Sequence, residues 1–395
     1  MKRIVIYKYK LYRTHRTKYL DKMLAEACFV WNHALALQKR YYRLYGKYIP
    51  LYTMQKHQAK RIKREFLDVN TIYDVLERLD TAFRSFFKHS SKRPPKFKKQ
   101  RDFNFLLFKT YKTRNGKICV HGLIIKDNQI IVSRINKTYK FGYYRNVVGL
   151  LKRVHLYKNK LGEYFLGFYI EKEIEEYRKT RNGASVGIDF GIKTYLTLSD
   201  NTKYDNPLFL KKNLSLLCKK DRNLSKCKKG SNNRERKRKE LDRLYNNITN
   251  KRSDFQWKLS HELCRKYDNI FIEDLNLMDM NLGRKTNRKL LDLAHAEFVS
   301  KLEHIATKYG VVIHKIDRYY PSSKTCTCGY VNKDLKLTDR QWTCPHCGTT
   351  HDRDLLAANN ILRRGIYELE SDSKTLKHSA DGQSRNHPTI TRVTA

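Results

Sequence analysis

The chain has 395 residues, enough for two or three domains with at least one sizeable core. Its 83 lysines and arginines against 39 aspartates and glutamates give a net charge of +44, and 12% of its residues are aromatic. Such a balance excludes a disordered basic tail and predicts a folded protein whose partner is a polyanion, with nucleic acid as the leading candidate.

Membrane and secretory proteins are disfavoured. The chain has no run of about 18 apolar residues, its mean hydropathy is −0.73, and lysines interrupt its apolar start where a signal peptide would need an uninterrupted core. We therefore expect no membrane partner. Nine cysteines, of which four cluster near the C-terminus, favour a reducing cytoplasm with one metal site over a disulfide framework.

The first 180 residues show strand and helix patterns in succession. Residues 4–12 alternate as a half-buried strand, and the apolar positions between Leu20 and Gly46 predict a long helix. A second helix is predicted over about 70–89, and from 103 to 171 the apolar period is two. These patterns predict a β-rich module with helices inserted near its start.

A basic segment follows the second predicted helix. Lys96, Phe97 and Lys98 lie in a run where charges flank an aromatic ring that could stack on a base or pack against the protein. A solvated run of charges explains this segment equally well. These three residues are candidate contacts for nucleic acid.

Residues 211–252 carry sixteen lysines or arginines against four acidic residues. Leu241 and Leu244 and the scarcity of helix breakers predict helices with a densely cationic side, suited to tracking phosphates without reading sequence. The candidate contacts in this segment are Lys228, Lys229, Arg236 and Lys237.

The second half of the chain predicts an α/β core. Residues 181–183 are polar and are interpreted as a linker, and a strand begins at Ser185. A short strand over 269–275, a helix that ends at Gly310 and a strand over 311–316 follow. After about 366 the apolar period disappears, which predicts a flexible tail.

Acidic residues stand at the ends of apolar segments in this basic chain. Asp189 follows one predicted strand, Glu273 follows another, and Asp352 and Asp354 lie close together near residue 353. Each alone is better explained as a helix cap or an ion-pair partner. Together they suit phosphodiester hydrolysis, in which a few converging carboxylates hold two magnesium ions that activate water and stabilise the leaving oxygen.

Cys326, Cys328, Cys344 and Cys347 form two pairs with nearly the spacing of a four-cysteine zinc ribbon. The second pair is a strong signal, whereas the first has one residue fewer between its cysteines than is usual. Our main interpretation is a zinc site with four thiolates. The alternatives are that His346 or His351 replaces one thiolate, or that the ribbon has lost its metal.

Five segments together resemble the TnpB family, the RNA-guided nucleases of small insertion sequences, which are related to type V CRISPR effectors. The segments are Gly187–Lys193 (GIDFGIK), Ile272–Leu275 (IEDL), Pro321–Tyr330 (PSSKTCTCGY), Trp342–Gly348 (WTCPHCG) and His351–Ile361 (HDRDLLAANNI). Their order and the chain length agree with the family over residues 1–365, although the specific motifs cover only 187–361.

The resemblance implies a multidomain α+β protein with a β-barrel-like wedge module, an inserted helical recognition module, and an RNase H-like RuvC nuclease domain that carries an inserted zinc ribbon. The corresponding boundaries are 1–180 for the wedge with recognition helices at about 15–95, 181–325 for the first part of the nuclease, 326–350 for the ribbon, 351–365 for the third nuclease motif, and 366–395 for the tail.

The resemblance also implies that Asp189, Glu273 and Asp354 are the catalytic residues and hold two Mg²⁺ ions, with Asp352 the weaker candidate in the third motif. The family pattern there is D-x-N-A-A-x-N, and Leu356 stands where the family has asparagine. Zn²⁺ would be structural. Guide RNA would be a bound partner in a monomeric ribonucleoprotein in the prokaryotic cytoplasm, near the nucleoid, acting on double-stranded and single-stranded target DNA.

Together with the residues, the resemblance implies an Mg-dependent, RNA-guided DNA endonuclease in which base pairing to the guide reads most of the target sequence. Two other classes remain. An RNA-guided repressor would bind the target without cutting it, and a transposase would join DNA ends through a related core. The repressor ranks second because its known origin involves loss of the acidic residues, and all three are retained here.

Overall fold

The computed structural model describes residues 2–61, 65–89, 93–173, 183–275, 290, 292–336 and 339–381, with side chains as far as residue 371. The chain forms two compact units, Met1–Glu175 and Glu176–Ala395. The predicted linker at 181 and 182 lies outside the described residues.

The first unit contains an eight-stranded antiparallel sheet in the order β1-β8-β7-β2-β3-β4-β5-β6. The strands are β1 Lys2–Lys10, β2 Phe105–Lys112, β3 Ile118–Val120, β4 Leu123–Lys126, β5 Gln129–Val132, β6 Lys137–Lys140, β7 Leu150–Lys158 and β8 Tyr164–Glu173. A bridge between Leu11 and Phe141 joins the two ends of this order, so the sheet curls back on itself.

Alternation along the strands determines which side chains fill the curled sheet. In β1 the side chains of Val5, Tyr7 and Tyr9 face inward and Lys8 and Lys10 are exposed, as the sequence predicts. The ring of Tyr9 is 1% exposed. The prediction of a half-buried strand in this segment is therefore confirmed.

Three helices lie between β1 and β2: α1 Thr17–Tyr45, α2 Leu51–Arg61 and α3 Val69–Lys88. The apolar stripe of α1 is buried, and α1 ends at Gly46, whose φ of 63° is the left-handed conformation that glycine adopts readily. Asp68 caps α3 by accepting hydrogen bonds from the backbone amides of Asn70 and Thr71. The insertion of helices near the start of a β-rich module is confirmed.

The second unit has a five-stranded sheet in the order β11-β10-β9-β12-β13. Its strands are β9 Ser185–Phe190, β10 Thr194–Leu198, β11 Lys203–Asp205, β12 Asn269–Glu273 and β13 Val312–Ile316. The pairs β9–β12 and β12–β13 are parallel, whereas β9–β10 and β10–β11 are antiparallel. Its helices are α4 Phe209–Lys212, α5 Leu214–Ser225, α6 Asn232–Lys266, α7 His295–Tyr309 and α8 Arg353–Asp381.

Helices cover both faces of this sheet. Val186 and Ile188 of β9 point to a core that they share with Leu263 of α6 and Phe298 of α7. Gly187, between them, faces α8 on the opposite side. The alternation of β9 thus separates a conventional hydrophobic core from the face that α8 covers.

A small two-stranded sheet, β14 Gln341–Thr343 with β15 Thr350–Asp352, carries the cysteine cluster. The predicted ribbon boundary at 350 is therefore two residues short, because His351 and Asp352 still pair with Trp342 and Gln341. The backbone runs directly from β15 into α8.

The first part of the predicted flexible tail, residues 366–381, continues α8, which ends at Asp381. Leu369 packs against the cluster around Phe271, and Arg364 forms an i,i+4 ion pair with Glu368. These contacts compensate for the weak apolar period. Residues 382–395 lie outside the described residues, and no described helix is both long and apolar enough to cross a bilayer.

Candidate functional site

Asp189 and Glu273 lie side by side at the ends of two neighbouring parallel strands. Ile188 of β9 pairs with Ile272 of β12, and the next residue on each strand is the acidic one. Both acids alternate onto the face that α8 covers, because Gly187 and Phe271, two residues earlier on each strand, contact that helix. The predicted convergence of these two acids is thus a consequence of strand register.

Asp354 enters the same region from the first turn of α8. The helix can lie close to the sheet because Gly187 lacks a side chain: a Cβ atom there would be 2.1 Å from the carbonyl oxygen of Ala358. Ala357 and Ala358 are fully buried at this contact. Small residues on both elements thus bring the start of α8 to the acidic edge of the sheet.

Asp189 lies within the electrostatic influence of both other acids. Burial raises the pKa of Asp189 to about 8, and the negative charges of Glu273 and Asp354 add to this effect, partly offset by Arg353. Burial also raises the pKa of Glu273, opposed by a hydrogen bond from Ser322. A cation bound among these groups would favour their ionised forms, because it compensates for the loss of water and for the neighbouring negative charges.

Asp352 and Asp354 have different partners, which separates their roles. The Asp352 carboxylate accepts hydrogen bonds from the backbone amides of Asp354 at 3.0 Å and Leu355 at 3.3 Å, and so caps α8. Its other oxygen pairs with Lys203 at 2.9 Å. Asp352 therefore serves as the cap of α8, whereas the Asp354 carboxylate accepts no such backbone hydrogen bonds among those described; the choice of Asp354 as the metal-binding acid stays a prediction.

Among the residues that the structure describes, Arg340 forms an ion pair with Asp354. Its guanidinium lies 3.2 and 3.3 Å from the two carboxylate oxygens, and it reaches the site from the segment that precedes β14. Both side chains are partly solvent-exposed. An exposed ion pair of this kind contributes little to stability, on the order of 0–1 kcal/mol, so an incoming metal ion can displace it at small cost.

The oxygen ligands of the acidic trio suit magnesium, which binds a few carboxylates and keeps several waters. Within the part of the chain that the structure describes, only the four cysteines bring ligand atoms of three or more residues within 4.8 Å of one another.

The four cysteines form a compact cluster in which all Sγ atoms lie within 4.8 Å of one another. The Sγ atoms of Cys326 and Cys347 are 3.5 Å apart and those of Cys328 and Cys344 are 3.7 Å apart. A tetrahedral zinc with Zn–S bonds of about 2.3 Å needs sulfur separations of about 3.8 Å. The short first cysteine pair therefore does not prevent a zinc-like geometry.

One contact connects this cluster to β15 and another connects it to α8. His351 Nε2 lies 3.0 Å from the Cys326 Sγ atom, close enough for a hydrogen bond to that sulfur. Leu356, at the position where the family has asparagine, packs with Trp342 and Leu335 in the core of the ribbon. Because position 356 is leucine where the family has asparagine, the first turn of α8 makes an apolar contact with the ribbon.

The candidate contacts in the first unit differ in exposure. The backbone of Lys96 and Lys98 is fixed to α1: Trp31 Nε1 donates to the Lys96 carbonyl at 3.2 Å, and Asn32 forms two hydrogen bonds with the backbone of Lys98. The side chains of Lys96 and Phe97 are exposed. The Lys98 ammonium instead lies 3.7 Å from the centre of the Trp31 ring, and burial lowers its pKa.

The candidate contacts in the second unit lie on a helical hairpin formed by α5 and α6. Leu217, Leu241 and Ile248 pack between the two helices. Lys228 and Lys229 are exposed in the turn and Arg236 is exposed on α6, whereas Lys237 pairs with Glu240 at 3.4 Å. The predicted cationic helices are therefore present.

Sequence reasoning assigned no role to Ser322 or Asn360, although both lie inside the quoted motifs. The Ser322 hydroxyl donates a hydrogen bond to Glu273, and Asn360 donates two hydrogen bonds to backbone carbonyls of the loop that contains Ser322. No residue spacing signals these contacts, because they connect elements 35 to 49 positions apart.

Comparison with known families gives two matches to different segments. Residues 169–284 match the family OrfB_IS605, described as "Probable transposase". Residues 295–361 match the family described as "Cas12f1-like, TNB domain". The acids Asp189 and Glu273 fall in the first segment, and Asp354 and the four cysteines fall in the second.

Curated relatives match along nearly the whole chain. A protein of Streptomyces pristinaespiralis named "Putative RNA-guided DNA endonuclease" is 32% identical over 91% of this chain and 89% of its own length. The "Putative RNA-guided DNA endonuclease InsQ" of Escherichia coli K12 is 25% identical over 92% of this chain and 93% of its own length.

Solved structures agree at the level of the fold. The protein in "Cryo-EM structure of the Cas12f1-sgRNA-target DNA complex" is similar with a TM-score of 0.57 at 16% identity, over 88% of this chain and 83% of that chain. The protein in "Structure of the mini-RNA-guided endonuclease CRISPR-Cas_phi3" is similar with a TM-score of 0.53 at 10% identity, over 93% of this chain and 92% of that chain. The multidomain α+β fold is thus shared with these effectors.

Proposed function

The chain belongs to the TnpB family, and on that basis we propose that it is an RNA-guided DNA endonuclease that hydrolyses phosphodiester bonds in its target. The observation that carries the proposal is the acidic trio. Asp189, Glu273 and Asp354 come from two strands and a helix and meet on one face of one sheet, where burial, with the added negative charges of Glu273 and Asp354, raises the pKa of Asp189 to about 8.

The five-stranded sheet is assigned to an RNase H-like RuvC nuclease domain. Three antiparallel strands, β11, β10 and β9, continue into the parallel strands β12 and β13, and α8 covers the acidic face. The ends of the adjacent strands β9 and β12 supply two of the acids. This arrangement supports the assignment because it exposes hard oxygen ligands at one edge of a rigid sheet.

The acidic trio is proposed to hold magnesium. Two such ions, when bound, supply an activated water and stabilise the leaving oxygen of the phosphodiester. The protein's own contribution is positional: strand register fixes Asp189 and Glu273, and the cap formed by Asp352 fixes the start of α8 and with it Asp354. Arg340 neutralises Asp354 until a cation replaces it.

The four cysteines are proposed to hold a structural zinc ion. Two of their sulfur separations, 3.5 and 3.7 Å, are close to those of a tetrahedral site, and the hydroxyl and backbone amide of Thr349 lower the pKa of the Cys347 thiol. Through His351 and Leu356 this centre supports the first turn of α8.

Guide RNA is proposed as the bound partner, with double-stranded and displaced single-stranded DNA as targets and a monomeric protein in each complex. A guide–target heteroduplex of about 20 base pairs carries about 40 backbone phosphates, the same order as the net charge of +44. Exposed cations on the α5–α6 hairpin and at Lys96 suit contacts to phosphates, which depend on charge and not on base identity.

Sequencing the RNA that co-purifies with the protein tests the proposal directly. A discrete RNA with a constant scaffold and a variable end is expected. Recovery of no specific RNA would contradict an RNA-guided function. A matched target plasmid that is bound but left uncut would indicate a repressor, and joined strand-transfer products would indicate a transposase.

A further inference from the structure

Asn360 and Ser322 form a chain of hydrogen bonds that ends on Glu273. Asn360 Nδ2 donates to the carbonyl oxygens of Ser322 at 2.8 Å and Thr325 at 2.6 Å. The Ser322 hydroxyl in turn donates to Glu273 Oε1. This series of hydrogen bonds therefore connects Asn360 on α8, through the loop after β13, to the Glu273 carboxylate on β12.

The burial of these groups makes the contacts specific. Asn360 is 3% exposed and Ser322 is 6% exposed. A buried amide or hydroxyl that loses its partner costs about 1–3 kcal/mol, so the loop is held strongly in the one conformation that satisfies all of these groups. Ser322 therefore has little freedom to leave Glu273.

The hydroxyl of Ser322 occupies one of the two Glu273 oxygens. It binds Oε1, which leaves Oε2 and the remaining lone pair of Oε1 for a ligand. It also opposes the rise in the Glu273 pKa that burial causes. A carboxylate with one oxygen fixed in this way has fewer orientations to lose when it binds a cation.

We propose that Ser322 and Asn360 are positioning residues for the metal ligand Glu273. Ser322 orients the carboxylate, and Asn360 holds the loop that carries Ser322. The inference rests on the proposed metal-dependent nuclease site. Neither residue contacts the reacting atoms; both act through Glu273.

The same loop leads to the ribbon. Thr325, whose carbonyl accepts the second hydrogen bond from Asn360, directly precedes Cys326. Asn360 therefore binds two positions of this loop: Ser322, which contacts Glu273, and Thr325, which leads into the cysteine cluster. Substitution of Asn360 is expected to disturb both, whereas substitution of Ser322 should affect only Glu273.

The test measures Mn²⁺ binding to the zinc-loaded, full-length protein with its co-purified RNA, by electron paramagnetic resonance of free Mn²⁺. Ser322→Ala and Asn360→Ala are expected to weaken Mn²⁺ binding about 10–100-fold, the usual effect of removing an outer-shell partner of a metal ligand. Ser322→Thr keeps the hydroxyl and should restore binding to near the wild-type level.

Matched controls separate positioning from general loss of structure. Ser323→Ala changes the adjacent serine, and Asn359→Ala changes the adjacent asparagine, whose amide donates to Leu355 within α8 and not to the loop. Both should bind Mn²⁺ as the wild type does. Thermal unfolding of each variant confirms that it is folded at the temperature of the measurement.

The outcomes for this inference and for the proposed function are distinguishable. If Asp189→Ala abolishes Mn²⁺ binding and folded Ser322→Ala binds as tightly as the wild type, the positioning role is wrong and the metal site stands. If Asp189→Ala binds Mn²⁺ as the wild type does, the proposed site itself is wrong. Equal weakening by Ser322→Ala and Ser322→Thr would also overturn the role of the hydroxyl.

Discussion

Gly187 of β9 faces the backbone of α8 so closely that a Cβ atom at position 187 would lie 2.1 Å from the Ala358 carbonyl oxygen and 2.7 Å from the Leu362 amide nitrogen. No real Cβ contact is that short, and backbone atoms cannot rotate away as a side chain could. The approach of helix to sheet, and with it the placement of Asp354 beside Asp189, depends on the absence of a side chain at 187.

Gly187→Ala should therefore push α8 away from the acidic edge. We expect a loss of about 1–3 kcal/mol in the free energy of unfolding, as for other overpacked interiors, together with a large loss of DNA cleavage. Chemical denaturation and a cleavage assay measure the two effects. Gly167→Ala is the control, because a Cβ there meets its nearest neighbour at an ordinary 3.6 Å. Equal behaviour of the two variants would contradict the close contact.

Asp352 and Asp354 should respond differently to substitution. Asp354→Asn removes a proposed metal ligand and should abolish cleavage with little change in stability. Asp352→Ala removes the cap of α8 and should cost about 1 kcal/mol of stability while leaving some Mg²⁺-dependent cleavage. Thermal unfolding and cleavage rates distinguish them. If Asp352→Ala abolished cleavage and Asp354→Asn cut DNA as the wild type does, the two assignments would be reversed.

The raised pKa of Asp189 predicts a pH-dependent stability in the metal-free protein. The unfolded chain releases this proton near pH 4, whereas the folded protein keeps it to about pH 8. The unfolded state therefore binds fewer protons in that interval, and this group makes the folded protein less stable as the pH rises from about 4 to 8.

Asp189→Asn removes that effect. The midpoint of thermal unfolding of the Asn variant, relative to that of the wild type, should rise between pH 5 and 8 when a chelator is present, and Mg²⁺ should reduce the difference. Mg²⁺ binding to the wild type at pH 7 should also release protons, which calorimetry in buffers of different ionisation enthalpy detects. A difference independent of pH would contradict the raised pKa.

Zinc content tests the cysteine cluster. Purified wild-type protein should contain about one zinc ion per chain, and Cys344→Ser should lose most of it, because a structural zinc site needs all four ligands. Cys119→Ser, which changes a partly buried thiol outside the cluster, should retain the metal. Elemental analysis gives the content. Unchanged zinc in Cys344→Ser would contradict the four-thiolate site.

Charge reversal in the α5–α6 turn tests the proposed binding of phosphates there. Lys228→Glu with Lys229→Glu should weaken RNA binding and flatten the dependence of log K on log salt by about 0.7–0.9 for each phosphate that the protein no longer neutralises. Lys258→Glu with Lys308→Glu makes the same change of net charge on other exposed lysines and is the control. Equal salt slopes for the two double variants would show that the turn has no special role.

The sequence predicted the elements with strong periods and the acids at their ends. Val5, Tyr7 and Tyr9 alternate inward as expected, and Asp189 and Glu273 follow strands whose register brings them together. These features are local, since each is encoded within a few residues of the chain. The resemblance added the choice of Asp354 over Asp352.

Long-range contacts could not be predicted in the same way. The helix that contains Asp354 continues past residue 366, and there Leu369 packs against a cluster that includes Phe271, far away in sequence. Lys98 was predicted as a nucleic-acid contact on its charge, but its ammonium lies on the ring of Trp31. The partners of Ser322 and Asn360 likewise depend on the folded arrangement of separate elements.

The decisive comparison is between wild-type and Asp189→Ala ribonucleoproteins on a plasmid that carries the sequence matched to the co-purified RNA. The wild type should cut the plasmid only when Mg²⁺ is present, and Asp189→Ala should bind the same RNA and plasmid without cutting. Magnesium-dependent cleavage by Asp189→Ala at the wild-type rate would contradict the assignment of the acidic trio as the site of hydrolysis.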